Sequence, residues 1–192
     1  MKLVFATRNQ HKINEIRKML PSSFDLVGLD EIGCFEDIPE TSGTILGNAI
    51  QKASHVSSRY DCNCFADDTG LIVDALNGAP GVNSARYAGL NANSDDNINK
   101  LLHEMVNKED RKARFMTLIC LIIGGIEHNF EGIVEGEILR NRRGAEGFGY
   151  DPVFLPKGQK LSFAEMSSEQ KNKISHRSIA FTKMLSHLRD LK

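Results

Sequence analysis

Two stretches rich in β-branched and aromatic residues, 115–123 and 130–139, stand on either side of Gly124-Gly125. A glycine pair supplies the positive backbone angles of a tight hairpin, so these stretches are expected to pair antiparallel. The start of the chain reads differently. Residues 2–6 are a short apolar run, Thr7-Arg8-Asn9-Gln10-His11-Lys12 is polar, and Ile13, Ile16, Met19 and Leu20 then recur at helical spacing. That order is strand, loop, helix. A hairpin joined to such units requires a mixed sheet with flanking helices, an α/β fold.

The remaining elements follow the same logic. Residues 24–29 read as a second strand. Ile45, Leu46, Ala49, Ala53 and Val56 share one face of a helix running to about Tyr60, with Lys52 one turn after Asn48. Cys64-Phe65-Ala66 reads as a buried strand whose end delivers Asp67-Asp68-Thr69-Gly70, with Leu71-Ile72-Val73 beyond it. A polar helix is expected over 95–107, a short strand over 153–155, and a closing helix over 174–191. There is no repeat, linker or low-complexity tract, so residues 1–192 are read as a single domain.

Charge excludes some partners. Lys and Arg number 24 against 25 Asp and Glu, a net charge of -1, so nothing draws the whole molecule to nucleic acid or an acidic membrane. The basic run Arg111-Lys112-Ala113-Arg114 has the character of a solvated strand edge. The most apolar run, residues 118–123, is too short to span a bilayer, and the N-terminus has no signal-peptide pattern, so a cytoplasmic protein is expected. The four cysteines lack the paired spacing of a structural zinc site.

Four segments could carry chemistry. The loop Thr7–Lys12 precedes a helix N-terminus, where backbone N–H groups and a positive dipole end suit an anion, though a solvated turn would look similar. Among the carboxylates Glu40, Asp67, Asp68 and Asp74, adjacent Asp67 and Asp68 cannot face the same way on an extended strand. One should face a ligand and the other should be structural. One or two such acids suffice for magnesium, which keeps waters and bridges to phosphates; a plain Asp-Asp turn is the alternative. In Gly147-Phe148-Gly149-Tyr150-Asp151-Pro152, glycines permit close backbone approach and an aromatic face could stack on a base, or tuck into the core. Ser175-His176-Arg177, preceded by Lys171 and Lys173, places donors near a helix start. No Gly-x-Ser-x-Gly elbow or cysteine nucleophile signature is present.

Together these segments resemble the inosine triphosphate pyrophosphatase family over almost the full chain. The carriers are the loop from Phe5 to Lys12, Asn48-Ala49-Ile50-Gln51-Lys52-Ala53, Ala66-Asp67-Asp68-Thr69-Gly70-Leu71, the run from Val73 to Gly89, the 147–152 loop and Ile174-Ser175-His176-Arg177. The resemblance implies a homodimer with an elongated mixed sheet and two lobes around a central nucleotide-binding cleft. It also implies Mg2+-dependent hydrolysis of inosine, deoxyinosine and xanthosine triphosphates to the monophosphate and pyrophosphate.

By the same resemblance Asp68 is general base and metal ligand, and Glu40 is a second acid on the metal. Thr69 contacts substrate, and Thr7, Asn9, Lys12, Lys52 and Lys171 hold the phosphates, with Arg8, Gln10 and His11 in the same loop. Phe148 stacks on the base and Asp151 helps to fix it, flanked by Gly149 and Tyr150, while His176 and Arg177 reach the 6-oxo edge. Two departures from the family bear on the site: Arg8 stands where glycine is common, and Gly47 where glutamate is common; Thr69 in place of the commoner serine keeps the hydroxyl. The competing expectations are a pyrophosphatase for modified pyrimidine nucleotides and a nucleotide-binding module without turnover, which Gly47 favours.

Overall fold

The computed structural model describes residues 1–190. Strand β1 (Lys2–Phe5) leads into helix α1 (Gln10–Met19), which starts where Asn9 Oδ1 accepts from the N–H groups of His11 and Lys12 at 3.0 and 3.3 Å. It stops before Pro21, which holds Leu20 extended. After β2 (Asp25–Val27) comes an irregular stretch and then α2 (Ile45–Tyr60), capped by the Thr44 side chain and ended by Asp61 in the left-handed region. Next are β3 (Cys64–Val73), β4 (Pro80–Gly81), α3 (Ser94–Glu104), β5 (Lys112–Ile123), β6 (Ile126–Ile138) and β7 (Phe154–Pro156). Helices α4 (Ser168–Ile174) and α5 (His176–Asp190) close the order.

The strands run in the order β2-β1-β3-β5-β6-β7, with β4 against β3. Pairing of β1 with β2 and β3 is parallel, and that of β3 with β4 and β6 with β7 is antiparallel, so the sheet is mixed as expected. Gly124 and Gly125 have φ of 57° and 77° and turn β5 directly into β6. Strand β5 starts at Lys112, ahead of the expected stretch, and β6 starts at Ile126, nearer the turn than expected, so the second strand runs from the turn itself.

Two expected elements differ. The acidic residues do not follow a strand end: β3 is one continuous strand of 10 residues through Asp67, Asp68, Thr69 and Gly70, because the buried positions on both sides keep the backbone extended. The expected closing helix is two helices, broken at Ser175, whose backbone is extended at φ -71°, ψ 150°. Leu191, the expected end of that helix, lies outside the described residues.

The chain forms two compact units. The first comprises Met1–Asp68, Thr117–Gly132 and the C-terminal segment from Arg177; the second comprises Thr69–Met116 and Ile133–His176. In the first, Leu3, Phe5, Ile16, Phe65, Phe181 and Met184 form one core, with Phe5 stacked on Phe65 at 4.3 Å. Val4, Ala49, Ala53, Val56, Cys64 and Cys120 form another, which packs the apolar face of α2. Small residues at 49 and 53 let that helix approach closely. In the second unit Leu71, Leu101, Phe115, Phe154 and Phe163 are the centre. Among the described residues no helix is long and apolar enough to cross a membrane.

Candidate active site

In the first unit, alternation along β3 separates the two adjacent aspartates. Asp67 is buried: Lys12 Nζ donates to its Oδ1 at 2.8 Å and Arg177 Nε to its Oδ2 at 3.0 Å. Arg177, itself 1% exposed, also donates from Nη1 to Glu15 Oε2 at 2.5 Å. The result is a buried chain of alternating charge, Glu15–Arg177–Asp67–Lys12. Burial alone would raise the Asp67 carboxyl, but Lys12, Arg177 and Lys52 together hold it well below the usual carboxylate range. Burial likewise lowers the Lys12 ammonium against the pull of Asp67, whereas Asp67 and Glu15 outweigh burial and raise Arg177.

Asp68 faces another set. Asn48 Nδ2 donates to its Oδ2 at 3.2 Å, and Lys52 Nζ lies 3.8 Å from its Oδ1. Lys52 also donates to Glu40 Oε1 at 2.5 Å. One buried ammonium thus joins the two carboxylates, and Asn48 and Lys52 reach them because they sit one turn apart on the buried face of α2. Burial, aided by Glu40, pushes the Asp68 carboxyl up against the opposing lysines 52 and 12. A carboxylate with raised proton affinity beside ammonium groups is equipped to take a proton from a nucleophile held at a phosphate.

The loop from Thr7 lies in the same unit. Thr7 Oγ1 accepts from the Asn9 N–H at 3.2 Å, Asn9 caps α1, and Gln10 and His11 are exposed at the helix start. Arg8 donates to the carbonyls of Glu36 and Cys34 at 2.9 and 2.8 Å. A cavity of about 330 Å³ is lined by Thr7, Arg8, Asp37, Glu40 and Lys52, among others. The two hard oxygen donors Glu40 and Asp68 suit magnesium, which needs few protein ligands, and among the described residues no cluster of three or more candidate metal ligands occurs. Thr69 is half-buried on β3 and belongs to the second unit.

In the second unit, Gly147 and Gly149 take φ of 77° and 61°, which folds the loop so that Asp151 Oδ2 accepts from the Phe148 N–H at 2.8 Å. A Cβ on Gly147 would lie 2.1 Å from that same oxygen. Lys171 Nζ donates to Asp151 Oδ2 at 2.7 Å and lies 4.8 Å from the centre of the half-buried Phe148 ring. Tyr150 is buried, its hydroxyl donating to the Ser84 carbonyl at 2.9 Å. His176 is buried and stacks on Phe115 at 4.5 Å.

The residues singled out in the sequence are therefore divided between the units, with Phe148, Gly149, Tyr150, Asp151, Lys171 and His176 in the second. Sequence reasoning missed Glu15 as partner of Arg177 and Asn48 as partner of Asp68. The recurrence of Asn48 and Lys52 on one helix face was the available signal for the latter. Glu15 carried none. The basic run at 111–114 is committed to the fold: Arg111 donates to the carbonyls of Met105, Ile138 and Leu139, and Arg114 to Asp74.

Known proteins resemble this chain in sequence and fold. The chain is 56% identical over 188 residues to the dITP/XTP pyrophosphatase of Porphyromonas gingivalis, covering 97% of each chain. It is 55% identical over 177 residues to that of Flavobacterium psychrophilum, covering 92% of this chain and 93% of that one. The solved structure of the Staphylococcus aureus Ham1 protein superposes with a TM-score of 0.92 at 38% identity, covering 100% of both chains. The model of the Ham1 family matches residues 3–187, and the chain belongs to that family.

Proposed function

We propose that this protein hydrolyses inosine, deoxyinosine and xanthosine triphosphates to the monophosphate and pyrophosphate. The observation that carries the reading is the Asp68 set, in which a partly desolvated carboxylate lies beside Lys52, Asn48 and Glu40. Relatives at 53–56% identity that are named dITP/XTP pyrophosphatases support the choice of substrate.

In this mechanism Asp68 accepts the proton of the water that attacks the α-phosphorus. Lys12 and Lys52 compensate the charge that develops on the phosphate chain, while Thr7 and Asn9 shape the loop around it. Magnesium, held by Glu40 and Asp68, would supply further charge neutralisation at the phosphoryl oxygens. Phe148 stacks on the base, and Asp151 holds Lys171 beside that ring. His176 and Arg177 offer donors to a 6-oxo edge, with Arg177 fixed by Glu15 and Asp67. A 6-amino group in that place would leave buried donors facing a donor, which costs affinity. The protein acts as a cytoplasmic homodimer and keeps miscoding purines out of the nucleotide pool.

The test is a substrate panel with separate detection of pyrophosphate and orthophosphate. Pyrophosphate should appear from the three named triphosphates far faster than from ATP or GTP. Equal rates on all five would remove the selectivity for non-canonical over canonical purines, and preference for modified pyrimidine nucleotides would replace the substrate class. Nucleotide binding without pyrophosphate release would make the protein a binding module.

A further inference from the structure

Glu40 is carried by residues 33–44, which form neither helix nor strand. A carboxylate on such a stretch needs other contacts to hold its position. Two sets come from α2. The Glu36 carboxylate accepts from the Tyr60 hydroxyl at 2.8 Å and lies 3.2 Å from Arg59 Nε and 3.3 Å from His55 Nε2. The Thr41 and Ser42 N–H groups donate to Gln51 Oε1 and Asn48 Oδ1 at 2.9 and 3.0 Å. The third anchor is Arg8, on the β1–α1 turn. Its Nη1 donates to the Glu36 carbonyl at 2.9 Å and its Nη2 to the Cys34 carbonyl at 2.8 Å.

Two nitrogens of one planar guanidinium thus hold two carbonyls that are two residues apart in sequence. A lysine ammonium, a single point of charge, cannot reproduce that fork. Arg8 and Glu40 line the same cavity, and Glu40 follows the fastened Glu36 carbonyl by four residues on the same irregular stretch.

We infer that Arg8 is a positioning residue: it fastens the Glu40 loop to the turn that starts α1 and thereby sets how Glu40 is presented, without contacting substrate phosphate. The kinetic consequence rests on the proposed pyrophosphatase reading, whereas the fastening itself does not.

The experiment compares the full-length protein with Arg8→Lys and Arg8→Gly. Arg8 is exposed, so both variants keep the core, and unchanged amide hydrogen exchange in α1 checks that they do. Without metal or nucleotide, amides of residues 34–40 should exchange about tenfold faster in both variants, the scale of losing one charge-assisted hydrogen bond. In assays with inosine triphosphate, the magnesium concentration for half-maximal rate should rise severalfold in both, with lysine no better than glycine. Unchanged exchange, together with a nucleotide KM that lysine preserves and glycine raises, would make Arg8 a phosphate cation and overturn the inference. Absence of pyrophosphate release from the unmodified protein would overturn the proposed function instead, and the exchange result alone would then decide the role of Arg8.

Discussion

Lys52 Nζ donates to Glu40 Oε1 at 2.5 Å, so the cation that faces Asp68 also occupies the second carboxylate of the set. A divalent cation entering between Glu40 and Asp68 therefore meets a resident ammonium. Lys52→Gln should act in opposite directions on two ligands. Magnesium should bind the nucleotide-free protein about two- to fivefold more tightly, the scale of a part-exposed ion pair, while the KM for inosine triphosphate rises. Magnesium calorimetry and steady-state kinetics measure the two. Weaker magnesium binding would show instead that Lys52 props Glu40 in place.

Asp67 and Asp68 are neighbours in sequence and opposite in consequence. Asp67 lies between Lys12 and Arg177, and its removal leaves the buried Arg177 with Glu15 as its remaining named carboxylate. Asp67→Asn should destabilise the fold by about 3–5 kcal/mol in urea denaturation, the cost of breaking a buried pair. Asp68→Asn should leave stability within about 1 kcal/mol while lowering turnover roughly 10²-fold or more, the scale of a lost general base. If Asp68→Asn unfolded as readily as Asp67→Asn, Asp68 would be structural and the mechanism would lose its base.

The difference between these aspartates was legible in part. That they face opposite ways follows from strand alternation, whichever strand they occupy. Which one is buried is decided by Lys12 and Arg177, 55 and 110 residues away in sequence, and no local pattern announces such partners. The continuity of β3 was hidden for a related reason: Asp67-Asp68-Thr69-Gly70 looks like a turn, and only its packed neighbours keep it extended. The β5–β6 hairpin and α2 were legible because Gly124-Gly125 and the apolar face of α2 are local signals that tertiary packing reinforces. The contacts of Glu36 with α2 were not, since polar residues in an irregular loop carry no period.

Glu36 provides a pH signature. Its own backbone N–H, the Tyr60 hydroxyl, His55 and Arg59 favour the anion and draw the carboxyl from 4.5 to about 2. The folded value lies below the unfolded one, so the stabilisation is fully present above about pH 4.5 and is lost as pH falls toward 2. Asp67, also held low, adds to the same acid loss. The urea midpoint of Glu36→Gln should therefore fall less steeply between pH 4.5 and 2 than that of the unmodified protein, while retaining the part due to Asp67. Parallel slopes would mean that the Glu36 contacts do not persist in solution.

Gly47 is the third residue of α2, where alanine would ordinarily favour the helix by about 1 kcal/mol. Here the space is taken. A Cβ at Gly47 would lie 1.9 Å from Ser42 Oγ, 2.7 Å from Ser42 Cβ and 2.8 Å from Thr44 Oγ1. Thr44 Oγ1 accepts from the Gly47 N–H at 3.0 Å, and Ser42 Oγ accepts from the Thr44 N–H at 3.2 Å, so displacing them undoes the cap. Because the Ser42 Cβ cannot escape by side-chain rotation, the steric cost should exceed the propensity gain. Gly47→Ala should then destabilise by about 1 kcal/mol, the scale of a lost N-cap. Ser42→Gly removes the two nearest atoms, so the double variant should be more stable than the sum of the single effects by roughly 0.5–3 kcal/mol. The same relation bears on an acid at this position: Gly47→Glu alone should disturb the loop that carries Glu40, and should strengthen magnesium binding only in the Ser42→Gly background. Tighter magnesium binding by Gly47→Glu alone, with unchanged stability, would show that Ser42 moves aside without cost.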